Sequence, residues 1–183
     1  MKCLTLLQLL TVLLVGTPSY TAAQEALLTP VVLKDADGGT AAGEEWHSND
    51  LRGKTQLILY VDPGKRKKAA PLIEKIDSLN YSPDRLGIRF IVNTKATSVP
   101  DVLIRLMIKR RAEANKKIQY ILDRNEVLIK KWGFTDEHLN ILVLETSGGV
   151  LHRYAGEINR EYIDELIRII DNALEISKDL NNS

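Results

Sequence analysis

The sequence predicts an α/β fold, a mixed central sheet flanked by helices in three layers, and three observations carry that expectation. Short β-rich runs at Thr55 to Asp62, Leu86 to Val92 and Lys117 to Leu122 are separated by segments whose apolar residues recur at helical spacing. The element order is then β-β-α-β-α-β-α-β-β-α, and its alternating units give parallel pairs. Near the end, Ser147-Gly148-Gly149 joins Leu139–Leu144 to Val150–Tyr154 as a hairpin, which adds antiparallel strands to the sheet.

Each element has its own local reason. Residues 24–50 read as a leader followed by an edge segment: Pro30 to Leu33 suits an edge strand, and Asp35 to Gly39 is a turn cluster. Leu57 to Val61 is continuously apolar, as in a strand covered on both faces. Pro63-Gly64 ends that strand. A helix is expected from Lys65 to Leu79, with Ala69, Leu72, Ile73, Ile76 and Leu79 inward and a kink at Pro71, which lacks a backbone donor. Ser98-Val99-Pro100-Asp101 reads as a capping box with proline in the first turn. The helix it opens runs to about Ala114, with Val99, Val102, Leu103, Leu106 and Met107 inward. A short helix, Glu126 to Lys131, ends at Trp132-Gly133. Asn159 caps the last helix, whose stripe is Ile163, Leu166, Ile167, Ile170, Ala173 and Leu174, and residues 178–183 read as a flexible tail.

The amino terminus has the layout of an export signal. Lys2 precedes an apolar run, Leu4 to Val15, and Thr21-Ala22-Ala23 offers small residues for cleavage after Ala23. The run is too short for a membrane span, which needs about 20 apolar residues, and no transmembrane segment is expected once the signal is removed. A periplasmic location follows. Cys3, the chain's one cysteine, lies inside the signal, so the processed protein carries no thiol and no disulfide framework. Basic and acidic residues nearly balance, 25 against 24, which disfavours nucleic-acid binding, since that depends on excess positive charge to displace counterions.

From Leu51 to residue 177 the pattern resembles the thioredoxin superfamily. YVDPGKRKKAAPLIEKI (Tyr60 to Ile76) stands where that superfamily has its strand, active-site turn and kinked helix; YILDRNEVLIKKWGF (Tyr120 to Phe134) resembles its later strand, acidic turn and short helix; LNILVLETSGGVLHRYAG (Leu139 to Gly156) resembles its final hairpin. More closely, LRGK (Leu51 to Lys54), IVNT (Ile91 to Thr94), EANKK (Glu113 to Lys117) and ILDRNEV (Ile121 to Val127) are similar to the YtfJ family of small bacterial periplasmic proteins. The resemblance implies a thioredoxin-like three-layer sandwich and a periplasmic address, and carries little chemistry with it. Aligned on Pro71, the superfamily's CxxC is replaced by Pro63-Gly64-Lys65-Arg66, and its proline before the hairpin strand is missing from Glu137-His138-Leu139-Asn140. A redox centre needs a reactive thiolate and a second sulfur, so disulfide exchange is excluded.

What is left is one candidate site. Gly64, Lys65, Arg66, Lys67 and Lys68 place four cations at the expected helix start, where the macrodipole disfavours each by about 0.3–1 kcal/mol. Convergence on a phosphate or carboxylate would compensate for that; charges spread into water or paired with distant acids are the competing reading. Lys109-Arg110-Arg111, Lys116-Lys117 and Lys130-Lys131 read as solvated helix faces. His47, His138 and His152 show no metal-ligand spacing, no GxSxG elbow is present, and neither metal nor cofactor is expected. The leading expectation is a non-catalytic binding or scaffold module of the cell envelope whose partner is an envelope protein or a small anionic ligand. A non-thiol enzyme in the former active-site groove is the alternative, and a transcriptional regulator is disfavoured by the export signal and the charge balance.

Overall fold

The computed structural model describes residues 27–181; the expected export signal at 1–23, with Cys3, lies outside them. In chain order the strands and helices are β1 Val32–Leu33, β2 Gly38–Thr40, β3 Trp46–His47, β4 Thr55–Val61, α1 Ala70–Leu79, β5 Leu86–Asn93, α2 Asp101–Ala114, β6 Ile118–Asp123, α3 Val127–Trp132, β7 Leu139–Leu144, β8 Val150–Gly156 and α4 Arg160–Asn181.

The main sheet has six strands in the order β2-β6-β5-β4-β7-β8. β4 pairs parallel with β5 and β5 with β6, while β7 runs antiparallel to β4 and β8 antiparallel to β7. This is the mixed sheet expected from the alternation. All residues of β4 are buried. Leu57, Leu59 and Val61 face a core shared with α1, α2 and α4, whereas Ile58 and Tyr60 face a second core closed by α3 and the N-terminal segment through Val31, Leu33, Trp46 and Leu51. The stripe expected on α4 is buried throughout, and Asn159 Oδ1 accepts the Tyr162 N–H at 2.8 Å as its cap.

Five local expectations are corrected. The turn at Asp35–Gly39 is a 3₁₀ turn, Asp35–Asp37, that opens into an edge strand, β2, laid antiparallel on β6. Trp46 and His47 form a strand of their own and pair with β1 in a small separate sheet. The helix expected from Lys65 begins at Ala70, after a 3₁₀ turn over Pro63–Ala69. Pro71 therefore sits in the first turn of α1, where a missing N–H costs no helical bond, and it starts the helix instead of kinking it. Pro100, not Ser98, holds the N-cap position of α2. Helical backbone also extends through Asn181, into the expected tail.

The largest correction concerns α2. Val99, Val102, Leu103, Leu106 and Met107, expected inward, are exposed, and Ile104 and Ile108 make the contact with the core. Val102 to Ile108 is apolar except for Arg105. Such a helix has more apolar surface than one face can bury, so periodicity alone does not select the stripe that meets the sheet.

Two substitutions test this packing by urea denaturation. Leu166→Ala, at a fully buried position on α4, costs about 2–5 kcal/mol, whereas Leu103→Ala, half exposed on α2, stays within about 0.5 kcal/mol. A large loss at Leu103 would show that α2 turns its other stripe inward. Gly38→Ala should cost more than about 1 kcal/mol, because φ is +129° and a Cβ there would lie 1.9 Å from Leu122 O.

Candidate functional site

The parallel strands β4, β5 and β6 end side by side at Asp62, Asn93 and Asp123, and Asn93 pairs directly with Asp123. Asp123 is fully buried. Its Oδ1 accepts the Val127 N–H at 2.9 Å and the Asn125 N–H at 3.3 Å; its Oδ2 accepts the Leu128 N–H at 2.9 Å and the Tyr60 hydroxyl at 3.3 Å. Burial drives the Asp123 carboxyl pKa up, and the backbone donors pull against that. Tyr60 is pushed far up by burial and by the Asp123 charge, so it stays a neutral donor. This buried carboxylate collects the free N–H groups at the start of α3 and ties that helix to β4, a structural task.

Beyond these strand ends lies a recess of about 360 Å³ lined by Asp62, Gly64, Lys65, Ala96, Glu126, Asp136 and Glu137. Lys65 Nζ donates to the Glu137 carbonyl at 2.5 Å and pairs with its carboxylate at 3.3 Å; Lys95 pairs with Glu126 at 3.2 Å. Asp62 is buried, and its pKa is raised first by desolvation, then by the Asp136 and Glu137 charges; Lys65 and the Asn93 amide oppose the shift. The loop that brings Asp136 and Glu137 here is organised by Asn140, whose Oδ1 accepts the Thr135 N–H at 2.7 Å and whose Nδ2 donates to Thr135 O at 2.8 Å. Glu137, shortly before β7, takes a left-handed backbone, φ +59°.

The predicted anion site keeps its residues on one 3₁₀ turn but separates their charges. Lys65 enters the carboxylate recess, Arg66 lines an apolar cavity on the α2 side, and Lys68 pairs with Glu157 at 2.5 Å. Lys67 and Gly64 are exposed. The cations also lie ahead of the helix proper, so the macrodipole argument for an anion at residue 65 loses its footing. Lys65 thus meets the carboxylates of the recess, Asp62, Glu126, Asp136 and Glu137.

Sequence reasoning missed the apolar cavity. It holds about 90 Å³, reaches Phe90, Val92, Ile104 and Ile108 in the core, and is rimmed by Val99, Met107, Arg66 and Arg111. Arg111 lies close enough to the Tyr120 hydroxyl to work against the rise that burial gives its pKa. The signal was present in the apolar run Val102 to Ile108 of α2, interrupted only by Arg105 and read as core instead of surface. Elsewhere, Trp46 and Trp132 are buried edge to face at 6.0 Å, and Trp132 Nε1 donates to Thr29 O at 2.8 Å, so they pack under loops as expected. His152 meets the Tyr162 hydroxyl and His138 the Asp136 carbonyl. No cluster of His, Cys, Asp or Glu able to hold a metal ion occurs among the described residues.

Comparison with known proteins agrees with this architecture. The family YtfJ_HI0045, described as bacterial protein of unknown function, matches residues 31–173. "Uncharacterized protein YtfJ" of Escherichia coli (strain K12) is 27% identical over 136 residues, spanning 71% of this chain and 72% of that protein. Among solved structures, the exposed lipoprotein thioredoxin Etrx1 of Streptococcus pneumoniae strain TIGR4 superposes with a TM-score of 0.57 at 11% identity, over 79% of this chain and 99% of its own. The thioredoxin domain of thiol-disulfide oxidoreductase BVU-2223 from Bacteroides vulgatus gives 0.55 at 13% identity, over 79% and 94%. At such identities the structural likeness establishes a thioredoxin-like fold.

The recess generates a pH test. Asp62 holds its proton more tightly folded than unfolded, so its ionisation opposes folding at neutral pH. That opposition fades as pH falls through the folded pKa toward the ordinary value near ~3.9. Asp62→Asn should therefore raise the melting temperature near neutral pH, and the gain should vanish by about pH 3. A gain of equal size at both would refute the assignment.

Proposed function

The chain belongs to the YtfJ family of bacterial proteins, and we propose that it works as a non-catalytic binding module of the cell envelope, exported to the periplasm. The export-signal layout of residues 1–23 supports the location. The described residues contain no cysteine, so the redox chemistry of the fold's thiol-bearing members has no centre here.

The observation that carries the binding role is the exposed face of α2. Val102, Leu103, Leu106 and Met107 on α2, with Val99 just before it, stand in water, and Val99 and Met107 also line a cavity that reaches core residues. Exposed apolar surface gathered on one element marks an interaction site. At about 90 Å³ the cavity is far below the ~300–1,000 Å³ of small-molecule pockets and suits one inserted side chain. Arg66 and Arg111 at its rim favour carboxylates beside that side chain. The occupant is thus a segment of an envelope protein with an apolar anchor flanked by acidic residues.

The alternative, a non-thiol enzyme, draws support from Asp62, which lines the carboxylate recess with Lys65 and whose pKa is raised by burial. Lys65 and Lys95 are engaged there by Glu137 and Glu126, an arrangement suited to holding the loops together.

Selection of random phage-displayed peptides on the purified chain tests the binding role. Enrichment of Leu, Ile or Phe flanked by Asp or Glu is expected. Affinity should fall at least tenfold in Leu106→Asp, with a stability change within about 0.5 kcal/mol at this exposed site. Random selected sequences, or binding indifferent to Leu106→Asp, would end the proposal. Retention on anionic phospholipid vesicles, lost in Leu106→Asp and without peptide enrichment, would reassign the face to a membrane surface.

A further inference from the structure

The opposite end of the sheet carries a second recess, built differently from the first two. It holds about 490 Å³, inside the ~300–1,000 Å³ range of small-molecule sites. Its walls come from the N-terminal arm at Thr40–Glu44, from Lys54 and Pro83, from the start of β5 at Leu86–Arg89, and from the α2–β6 connection with Lys116, Lys117 and Gln119. These are the N-terminal ends of the parallel strands, remote from Asp62, Asn93 and Asp123 at the other ends.

Behind Gly87, which lines this recess, a polar group is buried where a core would ordinarily be apolar. Gln56 on β4 is fully buried, and neither its amide nitrogen nor its oxygen has a hydrogen-bond partner among the described residues. It lies beside Gly87, its register partner on β5. A Cβ at Gly87 would fall 2.1 Å from Gln56 Oε1 and 3.0 Å from Arg89 Nη1, so the glycine keeps open the space these two side chains use. Arg89 is half-buried and lines the recess; its Nε is unpartnered and its Nη1 makes a long 3.4 Å contact to the carbonyl of its own neighbour, Ile88. Among the described residues no carboxylate lies within ion-pair distance of it; Asp50 acts on it from farther away. A guanidinium withdrawn from water without a counter-charge is costly, and a buried unbonded amide adds to the cost.

Three lysines share the lining of the recess with Arg89. Lys54 spends one donor on Pro83 O at 2.6 Å and Lys117 one on Asn80 Oδ1 at 2.5 Å, and each ammonium has three. Lys116 is exposed at the same wall. Glu44 is the one carboxylate in the lining and offers acceptors to a hydroxyl or amino group.

We infer that this recess is a binding site for a small oxyanion, a carboxylate or a phosphate on a hydroxylated carrier, held by Arg89 with Lys54, Lys116 and Lys117 in the same lining. The anion supplies the counter-charge that Arg89 lacks, and its planar fork suits two-point recognition of either group. This site is independent of the peptide-binding face proposed for α2.

The test titrates citrate, glycerol 3-phosphate and inorganic phosphate separately into the purified chain, with amide chemical shifts as the readout. Saturable shifts at Gly87 and Lys117 are expected for at least one probe, and which probe binds tighter separates carboxylate from phosphate. Arg89→Gln should weaken that binding at least tenfold, and Leu106→Asp should leave it unchanged. The double variant Lys54→Gln/Lys117→Gln, at side chains outside the core, should weaken it too and gives the reading if Arg89→Gln fails to fold. Shifts that never saturate with any probe, or binding equal in the wild type and both cation variants, would overturn the inference.

Discussion

The burial of β4 on both faces is the constraint from which the rest of the architecture follows. Its side chains alternate between two cores, so a layer must stand on each side: α1, α2 and α4 on one, α3 with the N-terminal arm on the other. Parallel pairing to β5 and antiparallel pairing to β7 place it at the centre of the sheet. A residue shift in that register would exchange the cores and expose a row of aliphatic side chains. The same register sets Gln56 beside Gly87 and brings the ends of β4, β5 and β6 together at Asp62, Asn93 and Asp123.

At those ends charged groups from separate segments meet. A 3₁₀ turn carries Lys65 toward the loop before β7, and an ion pair with Glu137 joins the two segments. Asp123 satisfies the start of α3 with a buried carboxylate. Cations and carboxylates here serve mainly each other. The surface that remains unsatisfied is apolar and lies next door, on α2, with Arg66 turning away from the acidic recess to rim the cavity that surface surrounds.

The unsatisfied polar groups are at the other end of the strands. Gln56 and Arg89 sit on the face of the sheet that becomes hydrophobic one step further along, at Ile58 and Ile91. A polar pair at that boundary weakens the second core unless something bonds it. The two unsatisfied surfaces are therefore different in kind, one apolar and able to wait in water, the other charged and partly withdrawn from it.

How much of this was legible in the chain follows from the range of the interactions. β4, β5, β7, the final hairpin and α4 were readable, because each carries its own periodicity and its own stop signals: Pro63-Gly64 after β4, Ser147-Gly148-Gly149 in the hairpin, Asn159 before α4. The lack of a cysteine pair was also legible in composition, since the sequence has one cysteine. The stripe of α2 that faces inward was not readable, because apolar residues lie on several of its sides and only the sheet beneath selects Ile104 and Ile108. Nor was the fate of Lys65, Arg66 and Lys68: close in sequence, they answer to Glu137, to an apolar cavity and to Glu157, the two ion pairs spanning 72 and 89 residues. The Arg89 recess was invisible for the same reason. Gln56, Gly87 and Arg89 become neighbours through strand register, which no local pattern encodes, whereas the strands themselves are local and announce themselves residue by residue.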